Sequence, residues 1–197
     1  MRRFIKKNVV FLVFIILFEF LSNLSQAQQF SFSNQESSLK VLGTSSLHDW
    51  HIEAKDINGK ITFTNLDNCE IVKCNLVVEA ESLKSGKSSM DRKTYKALKT
   101  KDYKIITFQL VEVSQVINNG NSKFTVKSIG DLTITGVTNR VPLEVDVVII
   151  KDNVSLIGKK NIKMTDFKID PPKELFGTIT TGDKLTIEFL MLYRQES

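Results

Sequence analysis

The chain has 197 residues, with 27 Lys and Arg against 22 Asp and Glu and a formal net charge of +5. Four of those basic residues and one acidic residue precede Gln28, so the balance from Gln28 onward is 23 against 21. This near-neutral, interspersed charge lacks the basic excess of a nucleic-acid binder, and the roughly 170 residues suffice for one domain that folds without disulfide or metal.

Arg2, Arg3, Lys6 and Lys7 lead into an uncharged apolar run from Val9 to Phe18, and a polar stretch then ends in Ser25-Gln26-Ala27. That is the layout of a secretory signal peptide cleaved after Ala27. The run is shorter than the ~20 residues that span a bilayer, and Glu19 interrupts it. The expected organisation is a signal peptide over residues 1–27 and one domain over 28–197, periplasmic or secreted.

From Ser38 onward the dominant signal is alternation of apolar and polar residues, the mark of an antiparallel sheet with one buried face. Trp50, Ile52 and Ala54 oppose His51, Glu53 and Lys55. Just before them, His48 and His51 with Asp49 have the residue types of a metal site, but positions three apart on a strand face opposite sides, and no metal is expected. Ser45, Ser46, His48 and Asp49 likewise hold hydrolase residue types, without the strand-to-helix elbow or the separate elements that a triad needs. Cys69 and Cys74 read as positions five apart on one strand, facing opposite ways and roughly 16 Å apart, too far for a disulfide.

Cys74, Leu76, Val78 and Ala80 share the next apolar phase. One short helix is expected around residues 90–99, with Ser88 or Ser89 as its cap and Met90, Ala97 and Leu98 as its apolar stripe. Lys84, Lys87, Arg92, Lys93, Lys96, Lys99, Lys101 and Lys104 surround it, either as a solvated face or as an attraction for a phosphate head group or a membrane surface. Further strands follow in phase: Ile106, Phe108 and Leu110; Phe124, Val126, Ser128, Gly130, Leu132 and Ile134; Val141, Leu143, Val145 and Val147; Leu185, Ile187, Phe189 and Met191. Turns are expected at 65–68, 118–121, 152–153 and 181–183, where Asn, Asp and Gly gather.

Sheets with a single apolar face pair with another sheet or close on themselves. Small residues on the inward phase, among them Ala54, Gly59, Cys74, Ala80, Ser128, Gly130 and Gly158, favour a barrel with a cavity over a filled one. The competing reading makes these glycines bulges and bends that close the barrel.

The ordered segments Gly43-Thr44-Ser45-Ser46-Leu47-His48-Asp49-Trp50, Ser85-Gly86, Met90-Asp91-Arg92, Tyr95-Lys96-Ala97-Leu98, Ile106-Thr107-Phe108, Gly130-Asp131-Leu132-Thr133-Ile134-Thr135-Gly136-Val137-Thr138, Met164-Thr165-Asp166-Phe167 and Phe176-Gly177-Thr178-Ile179-Thr180-Thr181-Gly182-Asp183 resemble the YceI-like family of exported lipid-binding barrels. The resemblance runs over roughly residues 37–194. Lys104 and Ile105 depart from it, standing where family members often carry a proline-containing turn, and Lys168-Ile169-Asp170-Pro171-Pro172 extends one motif in the manner of a subgroup. The resemblance implies an all-β, lipocalin-like antiparallel barrel of about eight strands with one short helix, without enzymatic activity or cofactor, that binds an isoprenoid or fatty-acyl lipid.

The candidate cavity-lining residues are Trp50, Ile52, Phe63, Leu76 and Val78 in the first half of the barrel, then Ile106 and Phe108. Phe124, Val126, Ser128, Gly130 and Leu132 follow on one strand, then Leu143 and Val145, then Ile187 and Phe189. His48 and Arg92 are the candidate head-group contacts, Arg92 because guanidinium engages phosphate through two parallel hydrogen bonds. Transient membrane contact and a homodimer are compatible with such a barrel. The alternatives are a packed barrel acting through its outer surface in a structural or stress-related role, or an accessory to an oxidoreductase, for which no cofactor motif is present.

Overall fold

The computed structural model describes residues 27–174 and 178–195. The expected signal peptide lies outside these residues except for Ala27, as do Phe176 and Gly177 of the last motif. In chain order the elements are β1 (Gln28–Phe32), β2 (Ser38–Ser45), β3 (Trp50–Ala54), β4 (Ile57–Asn65), β5 (Glu70–Glu79), β6 (Leu83–Lys84) and helix α1 (Ser88–Ala97). They continue with β7 (Ile105–Asn118), β8 (Lys123–Ile134), β9 (Val137–Ile150), β10 (Asn153–Lys163), β11 (Lys173–Glu174) and β12 (Ile179–Gln195).

The strands close into an eight-stranded antiparallel barrel, as expected for a lipocalin-like all-β fold. The run β4-β5-β7-β8-β9-β10-β12 is flanked at its far side by β2 and β3, and β1 completes the ring. Phe30 of β1 is registered with Ile61 of β4 on one side and with Gln195 of β12 on the other. Alternation produces this wall directly: on β8, Phe124, Val126, Ser128, Leu132 and Ile134 are buried while Lys123 and Lys127 face water. The β8–β9 hairpin turns on two residues in the left-handed region, Thr135 at φ +49° and Gly136 at φ +72°, the geometry that follows the natural twist of the strands.

One end of the barrel is packed solid. Phe30 and Phe63 meet edge to face at 5.6 Å, and Phe32 meets Tyr193 at the same separation. A second apolar cluster seals a seam in the wall. β9 and β10 pair from Asn153↔Ile150 only as far as Gly158↔Val145. Beyond that point Pro142 has no N–H to give to a ladder. Lys160 Nζ donates instead to the Pro142 carbonyl at 2.6 Å. The short 3-10 turn Thr165–Phe167 fills the remaining gap, held where Thr135 Oγ1 donates to the Phe167 carbonyl and Asn139 Nδ2 to the Asp166 carbonyl, each at 2.7 Å. Ile162, Met164, Phe167 and Ile169 pack there against Leu132 and Ile134.

Four expectations need correction. The helix runs from Ser88 to Ala97, two residues earlier than expected, because Lys99 adopts a left-handed φ of +51° just past its end. Neither Ser88 nor Ser89 caps it: Lys87 holds the cap position and no side chain bonds the first turn from there. Cys69 is not on the strand with Cys74 but in the turn before β5, at φ +54° and fully buried. Thr181-Gly182-Asp183 does not join two strands; it lies within β12 as a bulge, where the register against β2 shifts between Thr181 and Leu185.

The inward glycines also work differently from either sequence reading. A Cβ on Gly43 would lie 2.1 Å from the Trp50 ring, one on Gly130 2.2 Å from the Phe108 ring and one on Gly158 2.7 Å from the Phe189 ring. Gly43 is registered opposite Trp50 and Gly158 opposite Phe189, while Phe108 reaches Gly130 diagonally. Each glycine therefore seats an aromatic ring flat against the wall, and the space beside it is occupied by the ring.

Candidate functional site

Inside the barrel, between the packed end and α1, lies a cavity of about 450 Å³. Trp50, Ile52, Leu76 and Val78 line it from one side, Ile106, Phe108, Val126, Ser128 and Leu132 from another, and Leu143, Val145, Ile187 and Phe189 complete the wall. Several of these, including Leu76, Ile106, Phe108, Leu143, Ile187 and Phe189, are only half-buried although they point inward, since the surface they expose faces the cavity. Phe63, Phe124 and Gly130 share the inward phase but do not border the cavity. The two phenylalanines belong to the packed core, and Gly130 is screened by Phe108.

Sequence phase left out other lining residues, among them Leu39, Val41, Leu156 and Met191. The alternation of β2 and β10 was available for two of those strands and Met191 lay on a phase already read. It also missed the mouth. There α1 turns Met90, Lys93, Thr94 and Ala97 toward the cavity, a spacing of three, four and seven residues that marks one helix face. Lys87 and Ser89 stand beside them, and Leu47, His48 and Ser45 border the mouth from the β2–β3 loop. His48 thus reaches the cavity edge. Arg92 does not border it; its side chain is exposed on another face of the helix.

The polar motif residues hold the mouth together. Ser45 Oγ donates to the His48 carbonyl at 2.8 Å and accepts from the His48 N–H at 3.2 Å, while His48 Nδ1 lies 2.9 Å from the Asp49 carbonyl. The Trp50 indole N–H donates to the Thr44 carbonyl at 3.0 Å, which fixes the ring over Gly43. Ser46 N–H donates to the Thr180 carbonyl and Thr180 N–H to Ser46 Oγ, joining the first motif to the last. Asp183 accepts from Thr165 N–H at 2.9 Å and from Thr165 Oγ1 at 2.8 Å, and these bonds hold its carboxyl below the usual range. Asp91 accepts from Ser85 Oγ at 2.6 Å and Ser85 N–H at 2.8 Å with the same consequence, tying the loop before α1 to its first turn. Segments scattered along the chain are thereby gathered into one rim. The Ser45 hydroxyl and the His48 ring make their bonds to backbone groups of the turn, and Asp49 takes part through its carbonyl.

Among the described residues no group of three or more His, Cys, Asp or Glu side chains is arranged to hold a metal ion. Both cysteines are free. Burial pushes the Cys69 thiol up to about 12 and the Cys74 thiol, which borders the cavity and is hydrogen-bonded with Tyr193, up to about 11. Thiolate is the reactive form, so the native protein is expected to resist a disulfide labelling reagent at pH 8 and to react fully once unfolded in guanidinium. Immediate labelling of Cys74 in the native state would contradict its buried setting. Because folding raises both values above the ordinary 9.0, the stability these groups contribute is intact below that pH and is lost as pH climbs toward 11 and 12.

The family model of the YceI-like domain matches residues 26–191. No curated protein matches the chain. Among solved structures, BcnA of Burkholderia cenocepacia superposes with a TM-score of 0.66 at 19% identity, covering 82% of this chain and 98% of that one. A polyisoprenoid binding domain from Saccharophagus degradans, implicated in plant cell wall breakdown, gives a TM-score of 0.64 at 12% identity over 85% of this chain and 98% of its own. The YceI protein of Campylobacter jejuni gives 0.57 at 20% identity, covering 73% and 83%. At these identities the likeness is one of fold.

Proposed function

The chain belongs to the YceI-like domain family, and from that membership we propose that it is an exported, non-enzymatic carrier of a polyisoprenoid or long-chain acyl lipid held inside the barrel. The observation that carries the reading is the cavity of about 450 Å³ with a wall almost wholly of aliphatic and aromatic side chains. Its size falls among small-molecule sites, roughly 300–1,000 Å³. Each methylene moved into such a space gains about 0.8 kcal/mol without demanding a directional partner, so the site selects chain length and branching. The polyisoprenoid binding domain of similar fold supports the ligand class. The charge and apolar pattern of the first 27 residues supports export, and since β1 begins at Gln28, their removal leaves every described strand whole.

The test is native mass spectrometry of the processed protein from its own exported fraction, followed by organic extraction. A stoichiometric acyl or isoprenoid species is expected. An empty protein that also refuses added lipids would overturn the reading.

Of the two head-group candidates named from sequence, His48 borders the mouth and Arg92 stands away from it, whereas Lys93 shares the cavity face of α1 with Met90 and Ala97. Lys93→Ala is therefore expected to weaken an isoprenyl phosphate up to about fivefold more than the free alcohol of the same length, the scale of an exposed charge pair. Arg92→Ala should leave that ratio unchanged. Equal losses for both ligands on Lys93→Ala would remove the head-group role.

A further inference from the structure

The segment that carries α1 at the mouth of the cavity holds a net charge of +6, while the rest of the chain from Gln28 onward is net acidic. Residues 84–104 hold eight basic side chains against Asp91 and Asp102, whereas the rest of the chain from Gln28 onward has 15 basic against 19 acidic residues. The basic side chains of this segment, Lys84, Lys87, Arg92, Lys93, Lys96, Lys99, Lys101 and Lys104, are all exposed. Asp91 is turned inward onto Ser85, which leaves Asp102 as the only acidic side chain of the segment without that engagement. Beside this collar stands an apolar tip: Leu47, on the β2–β3 loop at the cavity mouth, is 67% exposed. Tyr103 and Ile105, just after the helix, add two further exposed apolar side chains at 39% and 45%.

We propose that the mouth end docks peripherally on an anionic lipid bilayer, the basic collar of residues 84–104 lying against the phosphate surface and Leu47 entering the interfacial layer. Charge complementarity selects the occupant: the segment 84–104 beside the mouth carries a net charge of +6 while the rest of the chain from Gln28 onward carries −4, and such an asymmetry orients the basic segment toward a negatively charged plane. An exposed leucine on a loop tip gains by leaving water at such a boundary. No described helix is long and apolar enough to cross a membrane. The purpose of the docking, passage of a lipid chain between bilayer and cavity, rests on the carrier reading; the docking itself is measured separately.

The experiment is co-sedimentation of the processed protein with vesicles of phosphatidylglycerol and phosphatidylcholine in equal parts, and with vesicles of phosphatidylcholine alone, at low and high salt. Binding to the anionic vesicles that falls with salt, and little binding to the neutral ones, is expected. Each basic residue near an anionic surface contributes roughly fivefold, so the triple variant Arg92→Gln, Lys96→Gln, Lys101→Gln should partition on the order of 100-fold less. None of these three borders the cavity, so the variant should keep its melting temperature and its co-purifying lipid. Leu47→Ser should weaken vesicle binding about tenfold or more. Absence of binding to anionic vesicles, equal binding to neutral ones, or full binding by the triple variant would each overturn the proposal; none of these results bears on whether the cavity holds a lipid.

Discussion

Ser128→Phe is expected to lower the affinity for a long-chain lipid on the order of 1,000-fold while the protein stays folded. Ser128 borders the cavity from β8, and its hydroxyl donates only to the Leu143 carbonyl at 3.2 Å. Phenylalanine at that position projects its ring into the space a ligand would fill and displaces about five methylene equivalents, or about 4 kcal/mol. Losing the hydroxyl's bond costs about 1 kcal/mol, which the added apolar contact offsets. Displacement titration with a fluorescent fatty acid reads the first effect and urea unfolding the second. Unchanged affinity together with a large loss of stability would mean that the interior at Ser128 has no room, and would sink the carrier reading. The neighbouring small residue behaves otherwise. Even Gly130→Ala forces the Phe108 ring off the wall, since its Cβ would lie 2.2 Å from that ring, and a stability loss of about 1–3 kcal/mol is expected.

Phe63→Ala should do the converse, costing about 3–5 kcal/mol of stability with less than a twofold change in lipid affinity for the fraction that remains folded. Phe63 is fully buried and set edge-on against Phe30 in the packed end, where β4 meets the closing strand β1. Truncation leaves a void that the surrounding strands are too constrained to collapse. A small loss of stability accompanied by loss of lipid would place Phe63 on the binding space instead.

These two residues also show how far the sequence could be read. Alternation reports which face of a strand points inward; it put Ser128 on the inward phase of its strand, whereas Phe63 was named as a lining candidate for its aromatic type, and both are buried. Alternation carries no information on height along the barrel axis, and height is what separates the packed end from the cavity. Register has the same standing: that Gly130 receives Phe108 and Gly158 receives Phe189 depends on cross-strand partners that no local pattern displays. On the helix the signal was present but weak. Met90, Thr94 and Ala97 define a face that includes Lys93 and omits Arg92, yet Arg92 drew attention for its chemistry. Cys69 was misplaced because the strand of Cys74 was extended back through a turn. Thr181-Gly182-Asp183 was misread because a bulge within a strand favours the same small and polar residues as a turn between strands.

The ring is completed where Phe30 of β1 meets Gln195 of β12, positions 165 residues apart in the chain. Local hairpins such as β8–β9 can form in microseconds, but this last pairing must wait for nearly the whole chain, and the entropy of closing so long a loop is offset only when the aromatic end packs. Refolding should therefore show an early phase in which β8 and β9 gain amide protection and a slow one in which β1 and β12 do. Between the two phases the hollow interior is still an open, curved sheet. On the carrier reading, a lipid present at that stage would be enclosed as the wall shuts around it, so the rate at which the native barrel later exchanges its contents and the rate at which a new chain first acquires them would be separate quantities.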